Sequence, residues 1–170
     1  NIERTRWETP EAEARLRAVR YHDLHHVVTG YATDTLGEFE ISAWELGAGC
    51  RDFWAAWVLN LAGLAAGVLR IPTRTFRAFL RGRRSRSLYG EPLELLLSES
   101  VGQVRARTGL DRAEGARTNI RELSLFAWFF LLGLLLGTVL FVVGATCALP
   151  LLFLKLVRSV GPRGFSGEAR

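Results

Sequence analysis

The chain has 170 residues, 49% of them apolar and 23% charged, with 22 basic and 17 acidic residues and a net charge of +5. This length suits about one domain, and the apolar content excludes a largely disordered chain. Its two cysteines, Cys50 and Cys147, are too few for a disulfide scaffold or a cysteine-rich zinc finger.

The first predicted helix begins at Thr9 and Pro10, where threonine caps the helix and proline fits its first turn. We expect it to run to Val28 or Thr29, with Gly30 as its terminator.

One face of this helix carries an unusual set of polar residues. Its predicted apolar stripe, at helical spacing, consists of Ala12, Leu16, Val19 and Val27. Asp23 falls within that stripe, where a carboxylate is costly unless a charge or a metal ion compensates it. His22 and His26 lie beside the stripe, four residues apart and therefore on one face. His25 points away from that face and is predicted to be structural.

A second helix is predicted to start at Thr33 or Asp34, after a short reversal of the chain. Its inner stripe is expected to consist of Leu36, Phe39, Ala43 and Leu46. Glu38, Ser42 and Glu45 share an adjacent face. Because Glu38 lies in the first turns, it can fold back over the end of the first helix.

Residues 53–69 form an apolar stretch of 17 residues that contains Asn60. This length is at the lower edge of what crosses a bilayer. The stretch could span a membrane, lie in its interface, or pack as a helix of the domain.

Seven arginines follow between Arg70 and Arg86, with no acidic residue before Glu91. Near a membrane such a run predicts contact with anionic lipids and a cytoplasmic location. The predicted lipid contacts are Arg74, Arg77, Arg81, Arg83 and Arg84. A solvated basic loop is the alternative. Nucleic-acid binding is not expected, because no aromatic readout pattern accompanies the charges.

Residues 123–154 contain no charge over 32 positions, well beyond the roughly 20 apolar residues that a transmembrane helix needs. Pro150 is expected to kink or end this helix. Gly133 and Gly137 form a small-residue face that could admit a helix of another membrane protein.

The sequence therefore predicts an all-α protein, in which a helical metal-binding domain is followed by a C-terminal transmembrane helix. The predicted boundaries are residues 1–118 for the domain, 119–158 for the helix and its exit, and 159–170 for a polar tail. We expect the protein in the bacterial inner membrane, with its main domain on the cytoplasmic side.

The candidate chemistry is concentrated in His22, Asp23, His26 and Glu38. Two imidazoles four residues apart can chelate one ion from a single helix face, and the two carboxylates add oxygen ligands. This donor set suits zinc, iron(II) or manganese, and the lack of thiolates argues against copper(I). The alternative is that the histidines only form hydrogen bonds within a helical bundle. A zincin-type protease would need glutamate at position 23, because Asp23 is shorter and would lie farther from a metal-bound water.

The string HDLHHVVTGYATDTLGE, from His22 to Glu38, resembles the metal motif of the coenzyme Q (ubiquinone) biosynthesis protein four family in its bacterial form. In it, His22, Asp23 and His26 are followed after eleven residues by Glu38. Weaker similarity follows from Arg81 onward, so the resemblance covers roughly residues 12–110.

The resemblance implies an all-helical, membrane-associated protein of the ubiquinone pathway. Its divalent metal, usually taken as zinc, would be held by His22, Asp23, His26 and Glu38. The family is associated with replacing the C1 carboxyl of a polyprenylated benzoate precursor by hydroxyl, and with organising the synthesis complex.

In such a metal-dependent oxidative decarboxylase, Asp23 or Glu38 would exchange ligand and base roles. The partners implied are membrane lipids and a polyprenyl quinone or its precursor. The competing hypothesis is a non-catalytic accessory subunit of a larger membrane complex, built on the same fold.

Overall fold

The computed structural model describes residues 10–112 and 118–160, and these contain helices and no β-strand. The all-α prediction is therefore confirmed. The helices are α1 (Pro10–Thr29), α2 (Thr35–Ala48), α3 (Trp54–Arg70), α4 (Pro72–Arg83), α5 (Leu93–Ser98), α6 (Val101–Thr108) and α7 (Ile120–Val160), with a 3-10 turn at Leu110–Arg112. The chain forms two compact units that divide between Leu134 and Leu135.

Helix α1 ends where the sequence predicts. Gly30 follows it with a φ of +77°, a conformation that glycine adopts without a steric penalty. The amide of Gly30 donates to the carbonyl of His26 at 2.9 Å, which satisfies one of the last carbonyls of the helix. The threonine cap predicted at Thr9 lies outside the described residues.

The predicted apolar stripe of α1 is wrong. Leu16, Val19 and Val27 are each more than half exposed, and the side chain of Ala12 lies outside the described part of the chain. The buried face instead includes Tyr21, His25, Val28 and Thr29. Polar side chains can occupy it because their hydrogen-bonding groups find partners inside the protein, which removes most of the cost of burial.

Helix α2 is the centre of the first unit. It begins at Thr35, and the Asp34 carboxylate caps it by accepting a hydrogen bond from the amide of Gly37 at 2.8 Å. Every residue from 40 to 47 is buried. Of the predicted inner stripe, Ala43 and Leu46 are buried, whereas the other two members are only half-buried. A helix covered on all sides does not need a single apolar stripe.

Two glycines let α2 and α4 approach each other at backbone distance. A Cβ atom added to Gly82 would lie 2.1 Å from the carbonyl oxygen of Trp44, and one added to Gly47 would lie 2.3 Å from that of Phe79. The fully buried indole of Trp44 donates to the Ser85 hydroxyl at 3.1 Å. This close crossing fixes α4 against the central helix.

Helix α3 covers residues 54–70 and packs as a helix of the domain, one of the three alternatives that the sequence leaves open. Ala56, Asn60 and Leu64 are among its buried residues, whereas the side chains of Trp54 and Leu59 are exposed. Its 17 residues are at the lower edge of the length that crosses a bilayer. One side of α3 is therefore core and the other is an exposed apolar surface.

The arginine run divides into two groups. Arg74 and Arg84 pair with carboxylates of the protein, and Arg81 donates to the carbonyl at the end of α1 at 2.8 Å. Arg77 and Arg83 are exposed, and Arg83 also donates to the carbonyl of Gly47 at 3.5 Å. Arg74, Arg81, Arg83 and Arg84 thus have structural contacts besides any contact with lipid.

Helix α7 is the one helix of the described residues that is long and apolar enough to cross a membrane, over Ile120–Pro150. It continues through Pro150 to Val160, so of the two alternatives predicted for the proline, a kink or an end of the helix, the end does not occur there. Within the first unit, a Cβ atom on Gly133 would lie 2.3 Å from the carbonyl oxygen of Leu61 in α3. No described atom lies within 4 Å of the corresponding position at Gly137.

Candidate metal centre

Helix α1 and the first turn of α2 bring three potential ligands together. The Nε2 atoms of His22 and His26 are 3.2 Å apart. The carboxylate of Glu38 reaches both rings, with one oxygen 3.3 Å from Nε2 of His22 and the other 3.2 Å from Nε2 of His26. The predicted folding of Glu38 back over the end of α1 is therefore confirmed.

These separations match the edges of a metal coordination shell. In a tetrahedral zinc site with bonds of about 2.0–2.1 Å, neighbouring ligand atoms are about 3.3 Å apart. The three contacts among His22, His26 and Glu38 measure 3.2–3.3 Å. Glu38 uses a different carboxylate oxygen for each histidine, and one ligand atom from each of the three residues lies within 4.8 Å of the others, so the three form a group that could hold a metal ion.

The second nitrogen of each ring is held by the protein. Nδ1 of His26 lies 3.1 Å from the carbonyl oxygen of Tyr31, which can only accept a hydrogen bond. Nδ1 of His22 lies 3.0 Å from a carboxylate oxygen of Glu45. Both rings therefore carry a proton on Nδ1, which leaves the Nε2 lone pair of a neutral ring for a metal.

The Glu45 carboxylate is the centre of a buried hydrogen-bond network and is 1% exposed. Besides His22, it accepts hydrogen bonds from Nδ1 of His25 at 2.7 Å, the amide of Asn60 at 2.6 Å and the hydroxyl of Tyr89 at 2.8 Å. The Nε2 atom of His25 accepts from the amide of Leu88 at 2.9 Å. Both nitrogens of His25 are thus engaged, which confirms its predicted structural role.

The charges of the cluster reinforce one another. Burial lowers the pKa of His22, but its contacts with the Glu45 and Glu38 carboxylates outweigh burial and raise the pKa from 6.5 to about 9. Burial acts to raise the pKa of Glu45, but hydrogen bonds from His22 and His25 lower it far below its usual range. Burial and the neighbouring Glu45 carboxylate raise the pKa of Tyr89.

The buried carboxylate of Glu45 therefore needs a cation beside it. In the metal-free protein that cation is the protonated ring of His22. A divalent ion bound by neutral His22 and His26 would balance the full charge of Glu38 and Glu45.

Asp23 is not brought into this group. Its side chain is exposed, and it is absent from the ligand cluster found among the described residues. The reason is helical geometry, because each residue is rotated by about 100° from the one before it. When His22 and His26 face α2, Asp23 points to a different side.

The ligand cluster adjoins a cavity of about 660 Å³ between α1, α2 and α3. Its polar lining comes from His22, Glu38, Ser42, Glu45, Asn60 and Tyr89. The remaining lining is apolar and comes from Ala18, Val19, Trp54, Ala55, Ala56, Val58 and Leu59. A cavity of this volume suits a small organic ligand that has one polar and one apolar part.

The sequence indicates the hydrogen-bond network behind His22, formed by Glu45, Asn60 and Tyr89, less clearly than it indicates the candidate ligands. Glu45 shares a face with Glu38, and Asn60 interrupts an apolar stretch, so both carried a visible signal. Neither signal indicates that Glu45 holds Nδ1 of His22, or that Asn60 in turn donates to Glu45. Tyr89 carried no signal, because it reaches Glu45 from a segment 44 residues further along the chain.

Comparisons with models of known protein families, with curated proteins and with solved structures find no match to this chain. The family resemblance therefore depends on the motif itself. Of the four ligands that the resemblance implies, the structure brings His22, His26 and Glu38 within reach of one ion.

Proposed function

We propose that this chain is a membrane-anchored protein of the ubiquinone biosynthesis protein four type. It holds a divalent metal ion at His22, His26 and Glu38 and takes a polyprenylated quinone precursor into the adjoining cavity. The observation that carries this proposal is the cluster of His22, His26 and Glu38 beside a largely apolar cavity, in which the two Nε2 atoms are 3.2 Å apart and each carboxylate oxygen of Glu38 lies 3.2–3.3 Å from one of them.

The donor set supports zinc first, with iron(II) or manganese as alternatives. Two imidazole nitrogens and a carboxylate are the protein ligands of a common type of catalytic zinc site, which leaves a fourth position for substrate or water. The buried carboxylate of Glu45 supports His22 in the way that outer carboxylates support metal-bound histidines. This arrangement favours a chemical role over a closed structural site.

The cavity supports an amphiphilic substrate. The aromatic head of a polyprenylated benzoate would lie at the polar end, beside His22 and Glu38. Its isoprenoid tail would follow the apolar side chains of Trp54, Val58 and Leu59, which line the same cavity.

In the proposed reaction, the C1 carboxyl of the precursor leaves as carbon dioxide and a hydroxyl takes its place. This is a two-electron oxidation of the substrate, and dioxygen from outside the protein would accept the two electrons. A bound metal would supply Lewis-acid stabilisation of the negative charge that develops on the ring and its oxygens. Glu45 keeps the His22 ring oriented through Nδ1. Glu38, whose side chain is 44% exposed, is placed to accept a proton from a phenol hydroxyl. Asp23, which does not line the cavity, has no part in this scheme.

Helix α7 supports the membrane assignment, and the exposed Arg77 and Arg83 suit a position near anionic lipids on the cytoplasmic side. The bacterial inner membrane is the membrane that we propose, because the motif resembles the bacterial form of the family. Contact with other membrane proteins is confined in this proposal to the Gly137 side of α7, because α3 already occupies Gly133.

The test combines elemental analysis of the purified full chain with extraction of its bound lipids and measurement of cellular quinone. We expect about one divalent metal and a bound polyprenyl phenol or quinone in the wild type. His22→Ala should lose the metal and reduce quinone production, whereas Arg77→Ala should change neither. Normal quinone in a strain that lacks the protein, together with partner subunits in fixed ratio, would instead select the accessory-subunit hypothesis.

A further inference from the structure

The charge-free part of α7 continues through the first 20 residues of the second unit. Residues 135–154 are 20 residues without a charge, ending just before Lys155. At about 1.5 Å per residue they are about 30 Å long, which is the thickness of the hydrocarbon core of a bilayer. Apolar side chains in this stretch, such as Leu140 and Phe141, are exposed. This stretch alone is therefore long enough to cross a membrane.

Helix α3 contacts α7 immediately before that stretch begins. Gly133 lies against the backbone of Leu61 and the side chain of Ala65. One turn earlier, the rings of Trp57 and Phe129 are 6.0 Å apart. Residue 135 begins the 20-residue stretch that could cross the bilayer, so these contacts of α3 are with the residues of α7 that immediately precede it.

The exposed side of α3 has the composition of a surface that contacts lipid. Its outer face, which we define as Trp54, Val58, Leu59 and Leu69, has exposures of 74%, 37%, 70% and 69%. No charged residue occurs between positions 53 and 69, and the polar Asn60 points inward to Glu45. Exposed tryptophan at such a position is typical of the boundary between headgroups and acyl chains.

We infer that the outer face of α3 is the surface by which the helical unit lies on the lipid bilayer, with its apolar side chains at the boundary between headgroups and acyl chains. The inference rests on the proposed membrane span of α7, and it does not depend on the metal or on a quinone. Interfacial helices bind in this way when their apolar face becomes buried in the membrane. Because Trp54, Val58 and Leu59 also line the cavity, a lipid-soluble molecule could pass from the bilayer into the site without crossing water.

The test uses a fluorescent label on single cysteines of the full chain, reconstituted in phosphatidylcholine vesicles. Cys147→Ala removes the exposed native thiol. The buried Cys50 stays unlabelled, because burial raises its pKa to about 12. The test position is Leu69→Cys in α3, which does not line the cavity. Its matched control is Leu97→Cys in α5, since the two leucines are 69% and 68% exposed. A third label at Leu140→Cys reports on α7 itself.

We expect quenchers attached to lipid to reduce the fluorescence at positions 69 and 140 severalfold more than at position 97. A water-soluble quencher should show the opposite order. If lipid-attached quenchers affect position 69 no more than position 97 but strongly quench position 140, the membrane span of α7 is supported and the inference about α3 is overturned. Lipid contact at both 69 and 97 would also overturn it, because the surface would not be specific to α3.

If all three labels face water, the membrane span fails and the inference fails with it. None of these readouts involves the metal, so we expect the same pattern when His22→Ala is combined with each label. Failure of the metal proposal is therefore distinguishable from failure of this one.

Discussion

Nδ1 of His22 lies 3.0 Å from a carboxylate oxygen of the buried Glu45, and this contact directs Nε2 of the same ring toward Glu38 and His26. A side chain on α2 thus determines which nitrogen of an α1 histidine is available as a ligand. The same carboxylate stabilises a proton on His22 when no metal is bound. A proton and a metal ion therefore compete for one position.

Substitution of Glu38 and substitution of Asp23, the two acidic residues of the motif, should have different effects on metal affinity. Glu38→Gln removes a charged oxygen ligand, and we expect metal affinity to fall by roughly 10–100-fold or more. Asp23→Asn should leave affinity within about twofold of wild type, because Asp23 is exposed and outside the ligand cluster. Competition with a chromogenic zinc chelator measures both. Equal losses in the two variants would show that Asp23 is a ligand after all.

Glu45→Gln should weaken metal binding although Glu45 is not itself a ligand. The neutral amide holds the His22 ring less firmly and lowers its basicity, so we expect a loss of about 10–100-fold in zinc affinity. Glu40→Gln is the matched control, because Glu40 is a buried glutamate on the same helix that pairs with Arg74 at the surface. Both affinities are measured on protein whose helical circular dichroism is unchanged. Unaltered affinity in Glu45→Gln would remove Glu45 from the account.

Metal binding should release a proton from His22. Its raised pKa of about 9 means that the metal-free ring is protonated at pH 7, whereas a metal ligand must be neutral. Affinity should therefore rise by up to about tenfold per pH unit below pH 9 and level off above it. Titration calorimetry at pH 7 in buffers of different ionisation enthalpy should report close to one proton per metal. A heat of binding that is independent of the buffer would contradict the raised pKa.

The same shift predicts how the stability of the metal-free protein depends on pH. Because folding raises the pKa of His22, its contribution to the free energy of unfolding is fully present below about 6.5 and is lost as the pH rises through about 9. Chemical denaturation of the chelator-treated protein at pH 6 and pH 9.5 measures this loss. His22→Ala should reduce the difference between the two values.

Substitution of Gly82 tests the packing of α4 on the central helix. An alanine Cβ there would lie 2.1 Å from the carbonyl oxygen of Trp44, so the backbones must separate. We expect Gly82→Ala to lower the free energy of unfolding by about 1–3 kcal/mol. Gly102→Ala in α6 meets no described atom within 4 Å and should be neutral or stabilising by about 0.5–1 kcal/mol. Similar denaturation midpoints for the two variants would contradict the close crossing.

The sequence predicted the helices better than it predicted their buried faces. Helix ends followed from local chemistry, such as Gly30 after α1 and Asp34 before α2. The inner face of α1 did not, because burial of His25 is compensated by Glu45 and by the amide of Leu88. Those partners are 20 and 63 residues away in sequence. The spacing of apolar residues along one helix gives no information about such distant hydrogen-bond partners, so it cannot predict that His25 is buried.

The ligand cluster was predictable to the extent that it is local. Two histidines four residues apart share a face in any helix, and the short reversal after Gly30 brings Glu38 back to them. The prediction of Asp23 as a fourth ligand is based on the apolar stripe of α1 and on the family resemblance, and the stripe is wrong. The supporting contact from Tyr89 to Glu45 required the tertiary fold.

The most direct measurement is zinc K-edge X-ray absorption on the purified full chain, loaded with one zinc per molecule. The account predicts a first shell of nitrogen and oxygen at about 2.0–2.1 Å with the outer scattering of two imidazoles. His26→Ala should lose one imidazole. A spectrum with no imidazole scattering, or a chain that does not retain zinc at micromolar concentration, would contradict the assignment of His22, His26 and Glu38 as a metal centre.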